Sequence, residues 1–187
     1  AQIAIFHWRE EKQVPIVKQF LDKALTEAEA KRAALFALGD SDDHETKACL
    51  HAEAVHALDQ IRDAGDLVIA AYFSAENDKQ RDTTRLVYRD KLQGVLAGKG
   101  NPQEIQELVD ALHHGPKPVP PFHWHIEFPE VFSRECPGFD AFVGNPPFLG
   151  GKRISTAHGD GYRDWLAVLH ADASSNSDLI AHFFRRA

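Results

Sequence analysis

Proline placement constrains this chain more than any other feature. Eight of its ten prolines fall between Pro116 and Pro147, and half of its 12 glycines lie between Gly138 and Gly161. Proline removes a backbone donor and disfavours helix at the residue before it, so long helices belong to the first part of the chain and not to this stretch. The break falls near Gly115 and divides the 187 residues into a helical segment, 1–115, and a second region, 116–187. Gly115 to Pro121 reads as an extended connector.

Before the break, apolar residues recur with the spacing of buried helix faces. One stripe holds Val17, Phe20, Leu21, Ala24, Leu25 and Ala28. A second holds Val55, Leu58, Ile61, Val68, Ile69 and Tyr72, with a polar turn at Asp40 to Asp43 between the two. A third helix carries Tyr88, Leu92, Val95 and Leu96 and stops at Gly98 and Gly100. The fourth is announced by Asn101 as cap, Pro102 at the first helical position and Glu104 three residues after the cap. Stripes of this kind are the ordinary means by which helices pack on each other.

After the break the expected class changes to α/β. Phe122 to Phe128 and Phe139 to Gly144 read as strands, the second apolar apart from Asp140 and so suited to a parallel sheet covered on both faces. A polar, glycine-rich loop is expected from Leu149 to about Asn176, mobile except near Trp165, and an apolar helix ends the chain.

Charge and composition narrow the function. Net charge is −7, of which the first 115 residues carry 14 basic and 20 acidic groups, so this half is a poor surface for DNA. That argues against a free-standing nucleic-acid binder and leaves room for a piece of one. The longest purely apolar run, Leu67 to Phe73, is seven residues, so no membrane segment is expected. Cys49 and Cys136 form no CxxC motif and no disulfide framework, which suits a reducing cytoplasm. His113, His114, His123 and His125 lie close in sequence but lack the accompanying ligands of a zinc site, and no metal is expected. The chain has no methionine, not even at its start, and reads as an internal piece of a longer protein.

The chemically informative residues are Asn145-Pro146-Pro147-Phe148. In open α/β sheets ligands bind at the carboxyl ends of strands, where this tetrapeptide is expected. The Asn145 side-chain oxygen and the Pro146 carbonyl are two acceptors. The prolines fix the turn and contribute no N–H to compete for them. Two acceptors aimed at an amino group bind its protons and leave the nitrogen lone pair free to attack, and Phe148 offers a flat face for a base.

Phe139-Asp-Ala-Phe-Val-Gly-Asn-Pro-Pro-Phe148 resembles the catalytic motif of the amino-group methyltransferases that modify adenine in DNA. Phe122-His-Trp-His-Ile-Glu-Phe-Pro-Glu-Val-Phe132 is similar to the segment before that motif in type IIG restriction-modification enzymes and related phage-defence methylases. Tyr162-Arg-Asp-Trp165 and Ser177-Asp-Leu-Ile-Ala-His-Phe-Phe184 resemble the segments on its carboxyl-terminal side in the same enzymes. The resemblance implies an incomplete Rossmann-like sheet of an S-adenosylmethionine-dependent DNA adenine-N6 methyltransferase, acting on duplex DNA as part of a larger enzyme. It implies that Asn145, Pro146, Pro147 and Phe148 hold the flipped adenine, and that Glu127 and Phe128 face the adenine of S-adenosylmethionine. Lys152 and Arg153, just past the motif, are candidates for phosphate contacts. The family's glycine-rich cofactor turn is absent, since Gly94 to Gly100 reads as a helix stop. A protein-glutamine or RNA-guanine methyltransferase and a non-catalytic helical interaction module are the alternatives.

Overall fold

The computed structural model describes residues 15–39, 43–174 and 176–186. Four long helices come first: α1 (Pro15–Ala37), α2 (His44–Phe73), α3 (Asp78–Leu96) and α4 (Pro102–His114). Two single turns come next, α5 (Trp124–Glu127) and α6 (Pro129–Phe132), and then α7 (Gly151–His158), α8 (Asp160–Leu169) and α9 (Leu179–Arg186). Of the polar turn expected at Asp40 to Asp43, residues 40–42 lie outside the described residues.

Helix α2 is the spine. Its 30 residues extend over about 45 Å at the α-helical rise. Val17 of α1 shares a core with Leu67, Ala28 packs with Leu58, and Lys31 bonds to Glu53, so α1 runs antiparallel along α2. Alanines at 54, 64, 70 and 71 are buried on α2 and let its neighbours approach closely. Tyr88 and Leu92 of α3 and Ile105, Val109 and Leu112 of α4 close the main core around Leu67. Each fully buried leucine of this kind contributes about 1.5–3 kcal/mol.

Local signals set the ends of these helices. Asn77 and Asn101 cap α3 and α4, accepting from the N–H groups of Gln80 and Gln103. Glu104 turns away from the cap and pairs with Lys91 of α3. The stop after α3 has both bonds of a Schellman turn, Gly98 N–H to Val95 O and Lys99 N–H to Gly94 O. Gly98 has φ +70, in the left-handed region, and a Cβ on Gly100 would lie 2.5 Å from Val95 N. This stretch is therefore a helix terminator.

The expected α/β sheet is absent: among the described residues there is no strand. The run from Phe122 to Phe128 forms α5 instead, its Glu127 and Phe128 N–H groups bonding to the carbonyls of His123 and Trp124. Prolines on both sides explain the change, since Pro121 and Pro129 have no N–H for a ladder and Pro129 is pre-organised to start α6. The run from Phe139 to Gly144 is irregular and largely solvent-facing, with Val143 99% exposed. An apolar strand is stable only beside partners that take its N–H and C=O groups, and none pairs with it among the described residues.

The loop expected from Leu149 to Asn176 is also corrected, because it contains α7 and α8. Gly159, at φ +90, ends one helix and begins the next, so its glycine marks a sharp corner. Ile154, Leu166 and Leu179 form a small core that joins α7, α8 and α9, and Trp165 reaches Phe73 at the end of α2 with centroids 6.1 Å apart.

His170 and His182 are buried, with ring centroids 5.2 Å apart. Burial pushes both imidazoles below their ordinary range, with His182 adding to the effect on His170 and Arg185 acting on both. As pH falls, the unfolded chain protonates first, so the docking of α9 is fully stable above about pH 6.5 and weakens below it. Hydrogen exchange of the α9 amides is expected to accelerate as pH falls below about 6.5, beyond the intrinsic pH effect. A flat, corrected profile would contradict this.

Candidate functional site

Asn145 to Phe148 lie in an open, extended segment between α6 and α7. Asn145, Pro147 and Phe148 are exposed, Phe148 at 75%. An asparagine that merely starts a turn bonds to the N–H two residues on. Position 147 is proline and has none. Accordingly, the Asn145 amide has no hydrogen-bond partner among the described residues.

Aromatic packing anchors the upstream end. Trp124 meets Phe122, Phe139 and Phe142 edge-on at 4.9, 5.3 and 6.0 Å and stacks on Phe128 at 6.2 Å. Phe139 and Phe142, expected within a buried strand, thus pack on the aromatic residues of α5 and α6. Phe128 sits in the same cluster as Phe142, three residues before Asn145.

Ion pairs fix this cluster to the helical array. Both Glu127 oxygens accept from Arg62 of α2, at 2.6 and 2.8 Å, and the Arg62 guanidinium holds the Glu127 carboxyl below its ordinary range. Arg32 of α1 bonds to the Glu127 carbonyl at 2.5 Å and to Glu130 at 2.9 Å. Glu127 therefore faces α2, while Phe128 faces the segment leading to Asn145. Lys152 and Arg153 lie exposed on the first turn of α7, without an ion-pair partner among the described residues. That turn has no acidic residue, and its cap position is Gly150, with no side-chain bond.

One constellation was not among the sequence expectations. Asp66 of α2 is buried, with one oxygen 2.6 Å from His123 Nε2 and the other 2.7 Å from His113 Nε2. The packing is close, since a Cβ on Gly65 would lie 2.8 Å from the His123 ring. Only a charged residue within the apolar stripe of α2 signals this role in the sequence. Among the described residues no group of three or more His, Cys, Asp or Glu is arranged to hold a metal ion, and no helix is long and apolar enough to cross a membrane.

The family model for the Eco57I restriction-modification methylase matches residues 47–187, about three quarters of the chain. Comparison with curated proteins and with solved structures gives no match. The matched region begins in α2, so the helical array from there onward, as well as the open tetrapeptide, lies within it. The chain belongs to the Eco57I restriction-modification methylase family.

Proposed function

We propose that this chain is the base-holding part of a DNA methyltransferase that modifies the N6 amino group of adenine, working in the cytoplasm within a restriction-modification or phage-defence enzyme. One observation carries the reading: an Asn145 amide without a partner among the described residues, beside an exposed Phe148, on backbone where residues 146 and 147 have no N–H. The Asn145 oxygen and Pro146 carbonyl accept the two amine protons of a flipped adenine, Pro147 keeps the turn free of donors, and Phe148 stacks on the ring. With both protons held, the amine lone pair is directed at the methyl donor. The division at Gly115 then separates a helical scaffold from the partial catalytic region.

Lys152 and Arg153 are placed to meet DNA phosphates. Their charges add to the positive end of the α7 dipole with no carboxylate on the first turn to offset them, an arrangement that an anion relieves.

S-adenosylmethionine supplies the electrophilic methyl group when bound. Of the two residues proposed to face its adenine, Phe128 lies on the side of the Asn145 segment, while Glu127 is held toward α2 by Arg62 and keeps acceptor sites that an adenine amine would reach only from that side. Among the described residues no close-fitting cradle stands beside the motif for the rest of the cofactor. Cβ atoms at Gly144 and Gly150, beside the motif, would meet no neighbour within 4 Å, so neither glycine forms a close-fitting cradle. Titration of S-adenosylmethionine into this chain is therefore expected to show no binding tighter than about 1 mM, roughly −4 kcal/mol. Low-micromolar affinity would contradict it.

The test of function is methyl transfer by the enzyme that carries this chain. Labelled cofactor and duplex DNA are expected to give N6-methyladenine after digestion to nucleosides. Label in a glutamine peptide or in RNA guanine with none in DNA, or no transfer at all, would overturn the reading.

A further inference from the structure

The downstream end of the tetrapeptide is held by one carboxylate. Asp178 immediately precedes α9, and its Oδ1 accepts two backbone N–H groups, Ile180 at 3.0 Å and Leu149 at 3.2 Å. The first bond caps α9. The second crosses 29 residues of sequence to the residue directly after Phe148. The Leu149 carbonyl in turn accepts from the Leu179 N–H at 3.0 Å, so both polar backbone groups of Leu149 are tied to the start of α9.

The surrounding fit is tight. A Cβ on Gly151 would stand 2.5 Å from the backbone carbon and oxygen of Asn176, and Gly151 has no positive φ, so glycine is required at this position for space. The Leu149 side chain packs on the Ile154, Leu166 and Leu179 core. A rigid wall thus begins one residue past Phe148, although Phe148 itself is open to solvent.

We propose that Asp178 is a positioning residue for methyl transfer: by pinning Leu149 to α9 it sets the path of the backbone that presents Phe148 and Asn145 to the target base, and Gly151 permits the close approach. The proposal rests on the reading that residues 145–148 hold that base. Reactive geometry is sensitive to such support, since a misplacement of about 1 Å away from the chemistry can lower turnover about 10²-fold.

A substitution series in the enzyme that carries this chain separates positioning from helix capping. Asp178→Asn keeps an oxygen for both N–H groups. Asp178→Ser keeps a good cap for α9 but is too short to hold Leu149 as well. Gly151→Ala attacks the same contact from the other side while favouring the α7 helix. Asp178→Asn is expected to stay within about 3-fold of the parent kcat, whereas Asp178→Ser and Gly151→Ala lower kcat by about 10-fold or more, with duplex affinity within about 2-fold. Fluorescence of 2-aminopurine at the target position is expected to show a flipped base that is less well stacked in the two impaired variants.

Full turnover and stacking in Asp178→Ser, while Asn145→Ala in parallel abolishes transfer, would overturn the positioning role and leave the functional reading intact. If Asn145→Ala is without effect, the functional reading fails whatever Asp178 does. Should Asp178→Ser not fold, Gly151→Ala decides: normal kcat in that variant overturns the proposal.

Discussion

Asn145→Ala in the enzyme that carries this chain is expected to lower methylation turnover by on the order of 10²-fold or more, with folding intact. The amide has no partner among the described residues, so its removal disturbs no internal bond, and the whole effect falls on the bound base. Loss of one of two acceptors leaves the amine free to rotate its lone pair away from the methyl donor. Duplex affinity is expected to change little, because phosphate contacts dominate it. Single-turnover methylation with a parallel thermal melt checks this, and unchanged turnover in a folded variant would remove the catalytic assignment.

Asp66→Ala is expected to lower stability strongly. It leaves the Nε2 atoms of His113 and His123 facing a cavity where two carboxylate oxygens stood, and those rings are only 30% and 19% exposed. Each hydrogen bond to a carboxylate contributes about 1.5–3 kcal/mol, and the partial exposure of the rings favours the lower end. A loss of about 3 kcal/mol corresponds to a fall in Tm of roughly 6–12 °C for a domain of this size. Asp66→Asn, which retains one acceptor oxygen, is expected to recover part of the loss. A fall of less than about 2 °C in Asp66→Ala would show that the two histidines hold the connector without it.

These two residues act at different levels of the molecule. In the proposed function Asn145 acts on a ligand, and its removal is expected to cost the fold little. Asp66 acts on the connector between the helical array and the aromatic cluster, where His123 is adjacent to Trp124. Arg62, one turn before Asp66 on α2, holds Glu127 in the same way. Helix α2 thus presents a guanidinium and a carboxylate to one short segment, and that segment carries the aromatic packing that leads toward Asn145.

Features set within a few residues of each other are legible in the sequence alone. The apolar stripes of α1 to α4, the cap at Asn101 with Pro102, and the stop at Gly98 are readable because helix periodicity and capping bonds span three to five positions. The donors missing at 146 and 147 are readable for the same reason, since both positions are proline. The expected strands fail because a strand is a non-local object. The run at 139–144 has suitable side chains, but partners elsewhere decide whether its backbone forms a ladder, and the prolines on either side of 122–128 remove the flanking donors that would extend one. Glycines 151 and 159 suggest a loop, although one relieves a clash with Asn176 and the other turns a corner between helices. Tertiary packing alone brings Asp66 to His113 and His123, Arg62 to Glu127, and Asp178 to Leu149, across 47, 57, 65 and 29 residues. A hydrogen bond acts over about 3 Å, and sequence spacing carries no information about which distant groups the packing of apolar faces brings within that range.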